Sequence, residues 1–149
     1  MQLHLDGSTS INAKRDHVFG LLVNPEFLAK TLQDAEDVRV LDGSTLEARI
    51  KVRVAVVSSA FKVRMTVSDT EPPARAKLVA EGSGSGSNLK VVSTFTLTGD
   101  SPTTMAWSAD AEITGIMAGL GSTLLKSFAT KKVEEIFGGI TGAIERTAG

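Results

Sequence analysis

The side chains that most often carry chemistry are scarce in this sequence. It holds two histidines, His4 and His17, and neither cysteine nor tyrosine. Without a thiol there is no disulfide, no thiolate nucleophile and no cysteine-ligated metal. The histidines stand far apart in sequence without carboxylates at metal-ligand spacing, so neither is expected to bind a metal. No cofactor is expected either. A general acid–base pair needs ionisable groups converging on one space, and the carboxylates fall mainly on outward strand phases or in turns. No catalytic residue is nominated. The run GSGSGS at 82–87 could offer successive backbone N–H groups to a phosphate. It lacks the lysine of a phosphate-binding loop and no helical pattern follows it, so a flexible hairpin or bulged strand end is expected.

What remains is apolar. Phe61, Met65, Phe95, Trp107, Met117 and Phe128 are the large side chains predicted to point between a sheet and a helix. Alone they would read as ordinary core. Several further inward positions are alanine, namely Ala48, Ala76, Ala80, Ala109 and Ala111. Small residues on a strongly curved sheet leave volume, and an apolar void stays dry or takes an apolar guest. The candidate ligand-binding residues are therefore Val54, Phe61, Met65, Phe95, Trp107, Met117, Leu120, Leu124 and Phe128, with Phe27 and Leu28 at the mouth.

The element that must close such a space is the stretch Gly115 to Ile144. Within it Leu125, Phe128, Ala129, Val133, Ile136, Phe137, Ile140 and Ile144 recur at spacings of three and four, which draws one apolar stripe along a helix. Gly121 and Ser122 place a break and a capping oxygen at its start. A helix of this kind is not stable alone in water and needs a concave apolar partner. The partner is predicted upstream. Residues 2–11 alternate as a first strand, with Gly7 read as a bulge. Asn12 offers an N-cap for a short helix over Ala13 to Val23, and Pro25 opens a second helical turn through Phe27, Leu28 and Leu32. From residue 36 the period falls to two. Asp42–Gly43 marks a hairpin, Ala48 to Val54 and Phe61 to Val67 alternate against Arg and Lys, and Glu71–Pro72–Pro73 ends a strand. Weaker alternation at Ala76 to Ala80 is followed by strands through Leu89–Thr98 and Thr104–Ile113. The count comes to about seven strands in an antiparallel meander. The predicted fold is α+β, a curved sheet wrapped around the long C-terminal helix, with two short helices after the first strand.

The polar face of that sheet carries Arg49, Lys51, Arg53, Lys62, Arg64, Lys77 and Lys90, bordered by Glu47, Glu81, Asp110 and Glu112. It reads either as a solvated face that resists aggregation or as a docking surface for an acidic protein or anionic headgroups. The 149 residues suit one domain spanning 1–149, and a net charge of −1 argues against a strongly basic nucleic-acid binder. The start lacks the build of a secretion signal, and no run approaches the length needed to span a bilayer. A cytoplasmic protein is expected.

Four segments carry a family resemblance: NPEFLAKTLQDAEDV at 24–38, ARIKVRV at 48–54, SDTEPPARAKLVAEGSGSG at 68–86 and GIMAGLGSTLLKSFATKKVEEIF at 115–137. Taken in order, they make the chain resemble the CoxG family, the G subunit of carbon monoxide dehydrogenase, within the START-like or SRPBCC superfamily of helix-grip folds related to Bet v 1. The resemblance implies the order β-α-α-β6-α and a hydrophobic ligand between helix and sheet. It further implies an accessory protein of molybdenum-containing carbon monoxide dehydrogenases or their relatives, linked to peripheral contact with the inner face of the membrane and to a quinone-like lipid. Two departures qualify it. The family's Cys/Ile-Pro-Gly turn is replaced by Thr31-Leu32-Gln33-Asp34, which predicts a differently shaped rim, and tail-dependent membrane anchoring is not carried over to a chain read as ending at Gly149. The leading expectation is a non-catalytic carrier or adaptor. Its rivals are an enzyme of the polyketide cyclase or dehydratase type, which the superfamily also contains, and a ligand-free docking module using the charged face.

Overall fold

The computed structural model describes residues 1–32, 35–54, 57–84 and 86–148, with the backbone alone described for Val54, Val57 and Ala148. Gln33 and Asp34, half of the departure from the family's turn, lie outside the described residues. The chain forms β1 (Gln2–Ile11), α1 (Arg15–Leu22), α2 (Pro25–Thr31), β2 (Ala35–Asp42), β3 (Thr45–Val54), β4 (Val57–Glu71), β5 (Arg75–Gly84), β6 (Ser87–Gly99) and β7 (Thr103–Gly115). A 3-10 turn at Ile116–Leu120 then leads into α3 (Ser122–Ala148).

The strands make one antiparallel sheet of seven in the order β1-β7-β6-β5-β4-β3-β2. From β2 to β7 each strand pairs with its successor, as short turns and period-two patterning dictate. β1 instead pairs with β7, so β1 and β2, neighbours in sequence, lie at opposite edges. The two short helices carry the chain from one edge to the other. This is the predicted helix-grip arrangement.

Local physics accounts for the helix starts, with one change from expectation. Asn24 caps α2 by accepting from the N–H of Glu26, and Pro25 sits where no N–H is needed. Asn12 does not cap α1. That helix begins at Arg15, whose N–H donates to Asp100 Oδ1 at 2.8 Å, while the N–H of Asn12 donates to Glu145 Oε2 at 2.8 Å. The cap is supplied by the β6–β7 turn rather than by the helix's own flank.

Gly7 also differs from expectation. β1 runs against β7 in unbroken register from Gln2↔Glu112 to Ile11↔Thr103, so there is no bulge. Gly7 faces Trp107, and a Cβ there would stand 2.9 Å from Trp107 Cζ2. The glycine clears room for an indole.

The core divides into two clusters at opposite ends of α3. One gathers Val18, Phe19, Leu22 and Leu28 of the short helices, Phe95, Leu97 and Met105 of the sheet, and Ile140 and Ile144 of α3. The other joins Leu3, Phe61, Val63 and Met117 to Leu125. Helix and sheet are thus fastened near both ends.

Candidate functional site

Between these fastenings the packing loosens. Leu125, Ile140 and Ile144 are 2%, 5% and 0% exposed, whereas Phe128, Ala129, Val133, Ile136 and Phe137 are only half-buried. The sheet beneath repeats the pattern. Cross-strand register places Leu5, Ala109, Ser93 and Leu78 in one lane, and Ala111, Val91 and Ala80 in the next. All seven face inward and all are half-buried. Ala80, Ser93, Ala109 and Ala111 are too short to fill the space beneath the helix, so the middle of α3 is packed less closely than its ends and reaches the core only through half-buried side chains such as Phe128 and Phe137.

The looser packing opens on both flanks of the helix. Between α3 and β1 lies a groove of about 560 Å³, lined by residues 5–9, Trp107, Val133, Phe137 and the small Gly138, Thr141 and Gly142. On the opposite flank a hollow of about 40 Å³ lies among Thr31, Leu32, Ala35, Ile50 and Ile136. The groove's floor is aromatic. Trp107 of β7 and Phe137 of α3 meet with ring centroids 4.9 Å apart, a contact between sheet and helix inside the loosened middle. Asp6, Glu134 and Glu145 stand at its rim.

The residues expected to bind ligand are distributed as follows. Trp107 lines the groove itself. Phe95 and Leu28 are buried in the first core cluster, with Phe27 and Met65 half-buried against it. Phe61 and Met117 belong to the second, with Leu120 and Phe128 half-buried beside them. Leu124 is 39% exposed. The side chain of Val54 lies outside the described residues. Leu5, Gly7, Thr9, Val133 and Phe137 also line the groove and were not among the candidates. Val133 and Phe137 were already legible on the apolar stripe, and Leu5, Gly7 and Thr9 on the odd phase of β1.

A model of the CoxG family, the G subunit of carbon monoxide dehydrogenase, matches residues 7–145. The chain belongs to the CoxG family. No curated protein sequence matches it. Among solved structures, this CoxG-family chain is similar to a conserved protein from Geobacillus kaustophilus, with 22% identity, TM-score 0.87, and coverage of 99% of this chain and 98% of that one. A START superfamily protein from Mycobacterium smegmatis gives 13% identity and TM-score 0.73, covering 97% and 98%. A Zhui aromatase/cyclase from a Streptomyces species gives 14% and 0.69, covering 98% and 95%. At these identities the likeness is one of fold.

The outer face of the sheet carries several ion pairs. Glu47 accepts from Arg64 at 3.0 Å and lies 3.5 Å from Arg39, Lys51 lies 2.9 Å from Glu36, and Lys77 lies 3.4 Å from Asp69. Arg49, Arg53, Lys62 and Lys90 have no ion-pair partner among the described residues, and Arg49 sits directly across from Lys62. His4 is flanked by Asp110 at 2.7 Å and Asp6 at 3.0 Å, an arrangement that only the β1–β7 pairing creates. Those two carboxylates, Asp110 first, raise its pKa above the ordinary value. His17 Nε2 lies 2.9 Å from Thr147 Oγ1 and ties α1 to the end of α3.

The Gly/Ser run is occupied structurally. A Cβ on Gly84 would strike the carbonyl oxygen of Ala60, and one on Gly115 would strike that of Gly86. Ser87 Oγ accepts from the buried N–H of Met117 at 2.9 Å, and Gly86 O accepts from Ile116 at 3.2 Å. The run fastens the β7 corner ahead of α3. Among the described residues no helix is long and apolar enough to cross a membrane.

Proposed function

We propose that this protein is a non-catalytic accessory carrier that holds a small apolar molecule, of the isoprenoid quinone class, between sheet and α3. In this reading it serves a molybdenum-containing carbon monoxide dehydrogenase or a related enzyme, in the cytoplasm and in peripheral contact with the inner face of the membrane. The observation that carries the reading is the half-buried middle of α3 beside a groove floored by Trp107 and Phe137. An apolar surface left half-covered inside a fold is completed by an apolar guest. Family membership supports the accessory role and the choice of partner. The non-catalytic assignment is supported by the chemistry of the space, whose inward lanes offer hydrocarbon and the Ser93 hydroxyl while the carboxylates stand at the rim. Phe61, Met65, Phe95, Met117, Leu120, Leu124, Phe128 and Val54 are proposed to contact the guest along with Trp107, with Phe27 and Leu28 near its access.

Trp107 is the chain's one tryptophan, so its fluorescence reports the groove alone. Titration with a short-tailed menaquinone analogue is expected to quench it saturably at micromolar ligand. Absence of any saturable change would overturn the carrier reading. Capture of a molybdenum hydroxylase by this protein is expected to weaken when Arg49, Lys51 and Arg53 are reversed in charge together.

A further inference from the structure

Trp107 brings more than a ring to the groove. Its Nε1–H has no hydrogen-bond acceptor among the described residues, and the hydroxyls of Thr9 and Thr141, which also line the groove, have no partner there. Indole N–H is a donor only, and a hydroxyl can turn its hydrogen toward an acceptor. Against these stand the carboxylates of Glu134 and Glu145; Asp6 also lines the groove, but its carboxylate turns to His4 on the outer face of β1. Glu134 has no ion-pair partner among the described residues, whereas Asp6 shares its charge with His4. No lysine or arginine is among the described residues that line the groove, although the guanidinium of Arg146 stands over the lining residue Gly142 toward the C-terminal end of α3.

We infer that the groove selects its guest by head-group chemistry, taking an uncharged molecule whose head accepts hydrogen bonds and turning away carboxylate heads. The inference rests on the carrier reading and sharpens it. A ketone or quinone oxygen receives the Trp107 N–H and loses little on leaving water, because its hydrogen bond is replaced. A fatty-acid anion meets the field of Glu134 and Glu145 in a partly dried cleft, where repulsion exceeds its value in bulk water. An ammonium head would be drawn to those carboxylates at the rim, but beside the Trp107 N–H it finds no acceptor and must give up part of its hydration to enter deeper.

The test compares four probes of equal chain length by calorimetry on the full chain: a long-chain methyl ketone, the fatty-acid anion, the amine and the parent alkane. The ketone is expected to bind tightest, with the anion weaker by about five- to tenfold at low salt, a gap that narrows in high salt as the charges are screened. Trp107→Phe keeps an aromatic ring and removes the N–H. It is expected to weaken the ketone by about fivefold, a single hydrogen bond's worth, and to leave the alkane unchanged. Glu134→Gln is expected to recover most of the anion's deficit without moving the ketone. The inference is overturned if ketone and anion bind within twofold of one another, if the amine binds tightest, or if Trp107→Phe weakens ketone and alkane alike. If none of the four binds saturably, the carrier reading falls and this inference with it. If all four bind equally, the carrier reading stands and only the selection falls.

Discussion

The indole of Trp107 lies against the backbone of Gly7 on the neighbouring strand, so closely that a methyl group there would come within 2.9 Å of Cζ2. Because the ring is half-buried at a groove, it has somewhere to go. Gly7→Ala is therefore expected to push the indole outward rather than to unfold the sheet, at a cost of about 1 kcal/mol, the low end for overpacking. Emission from Trp107 should shift to the red and quinone-analogue quenching should weaken. An unmoved spectrum with native affinity would show that the contact does not position the ring.

The two ends of α3 and its middle should answer differently to truncation. Ile144 is 0% exposed, and Ile144→Ala is expected to cost about 2–5 kcal/mol. Val133 is half-buried at the groove, so Val133→Ala should cost well under half as much. Urea denaturation of both variants measures the difference. Equal losses would mean that the middle of the helix is packed as firmly as its end.

Asp100 caps a helix that begins 85 residues earlier, through its 2.8 Å contact with the N–H of Arg15. Asp100→Ala should lower stability by about 1 kcal/mol, the usual worth of a lost N-cap. Asp100→Asn keeps an acceptor oxygen and should recover most of it. Thermal melts of the three proteins suffice.

His4 donates toward two carboxylates, and its pKa is raised above the ordinary 6.5, chiefly by the hydrogen bond to Asp110 and then by that to Asp6. The folded state therefore holds the proton more tightly than the unfolded chain. The stabilisation is fully present below the unfolded value and is lost as pH climbs through the folded one. As pH climbs from about 6.5 through the raised folded-state value, the native protein should lose melting temperature relative to His4→Gln. Proton NMR titration should place the imidazole pKa above 6.5 in the native protein and return it toward that value in Asp110→Asn.

Gly115 has φ +91°, and its Cα faces the carbonyl of Gly86. Gly115→Ala is expected to destabilise by about 1–3 kcal/mol through backbone strain, with more from the contact itself. Gly43→Ala, where nothing lies within 4 Å, serves as the control and should change little.

Much of the fold was readable because its main signals are local. Alternation such as Ala48, Ile50 and Val52 against Arg49, Lys51 and Arg53 specifies a strand with one dry face, whatever its neighbours are. The three-and-four spacing from Leu125 to Ile144 specifies a helix with one apolar stripe. The missed features depend on partners distant in sequence. Nothing near Gly7 announces Trp107, nothing near Arg15 announces Asp100, and nothing near His4 announces Asp110. The inward alanines did not locate the groove: Ala48 and Ala76 are buried in the first core cluster, and the groove is lined instead by Leu5, Gly7, Thr9, Trp107, Val133 and Phe137, of which only Trp107 was a candidate. An apolar stripe records which side chains face the sheet and leaves unsaid which of them reach it. Only the completed sheet distinguishes Leu125 and Ile140, which are buried, from Val133 and Phe137 between them, which stay half-buried along the groove even though Phe137 meets Trp107.

The two separate cores at the extremities of α3 divide labour along one continuous element. Residues that fasten the architecture sit outboard, and those that meet the cavity sit inboard, so a change of cargo need not threaten the scaffold. Position by position, the span from Phe128 to Phe137 can drift while Leu125 and Ile144 stay fixed. A single frame can in that way be re-tailored for different guests without first being rebuilt.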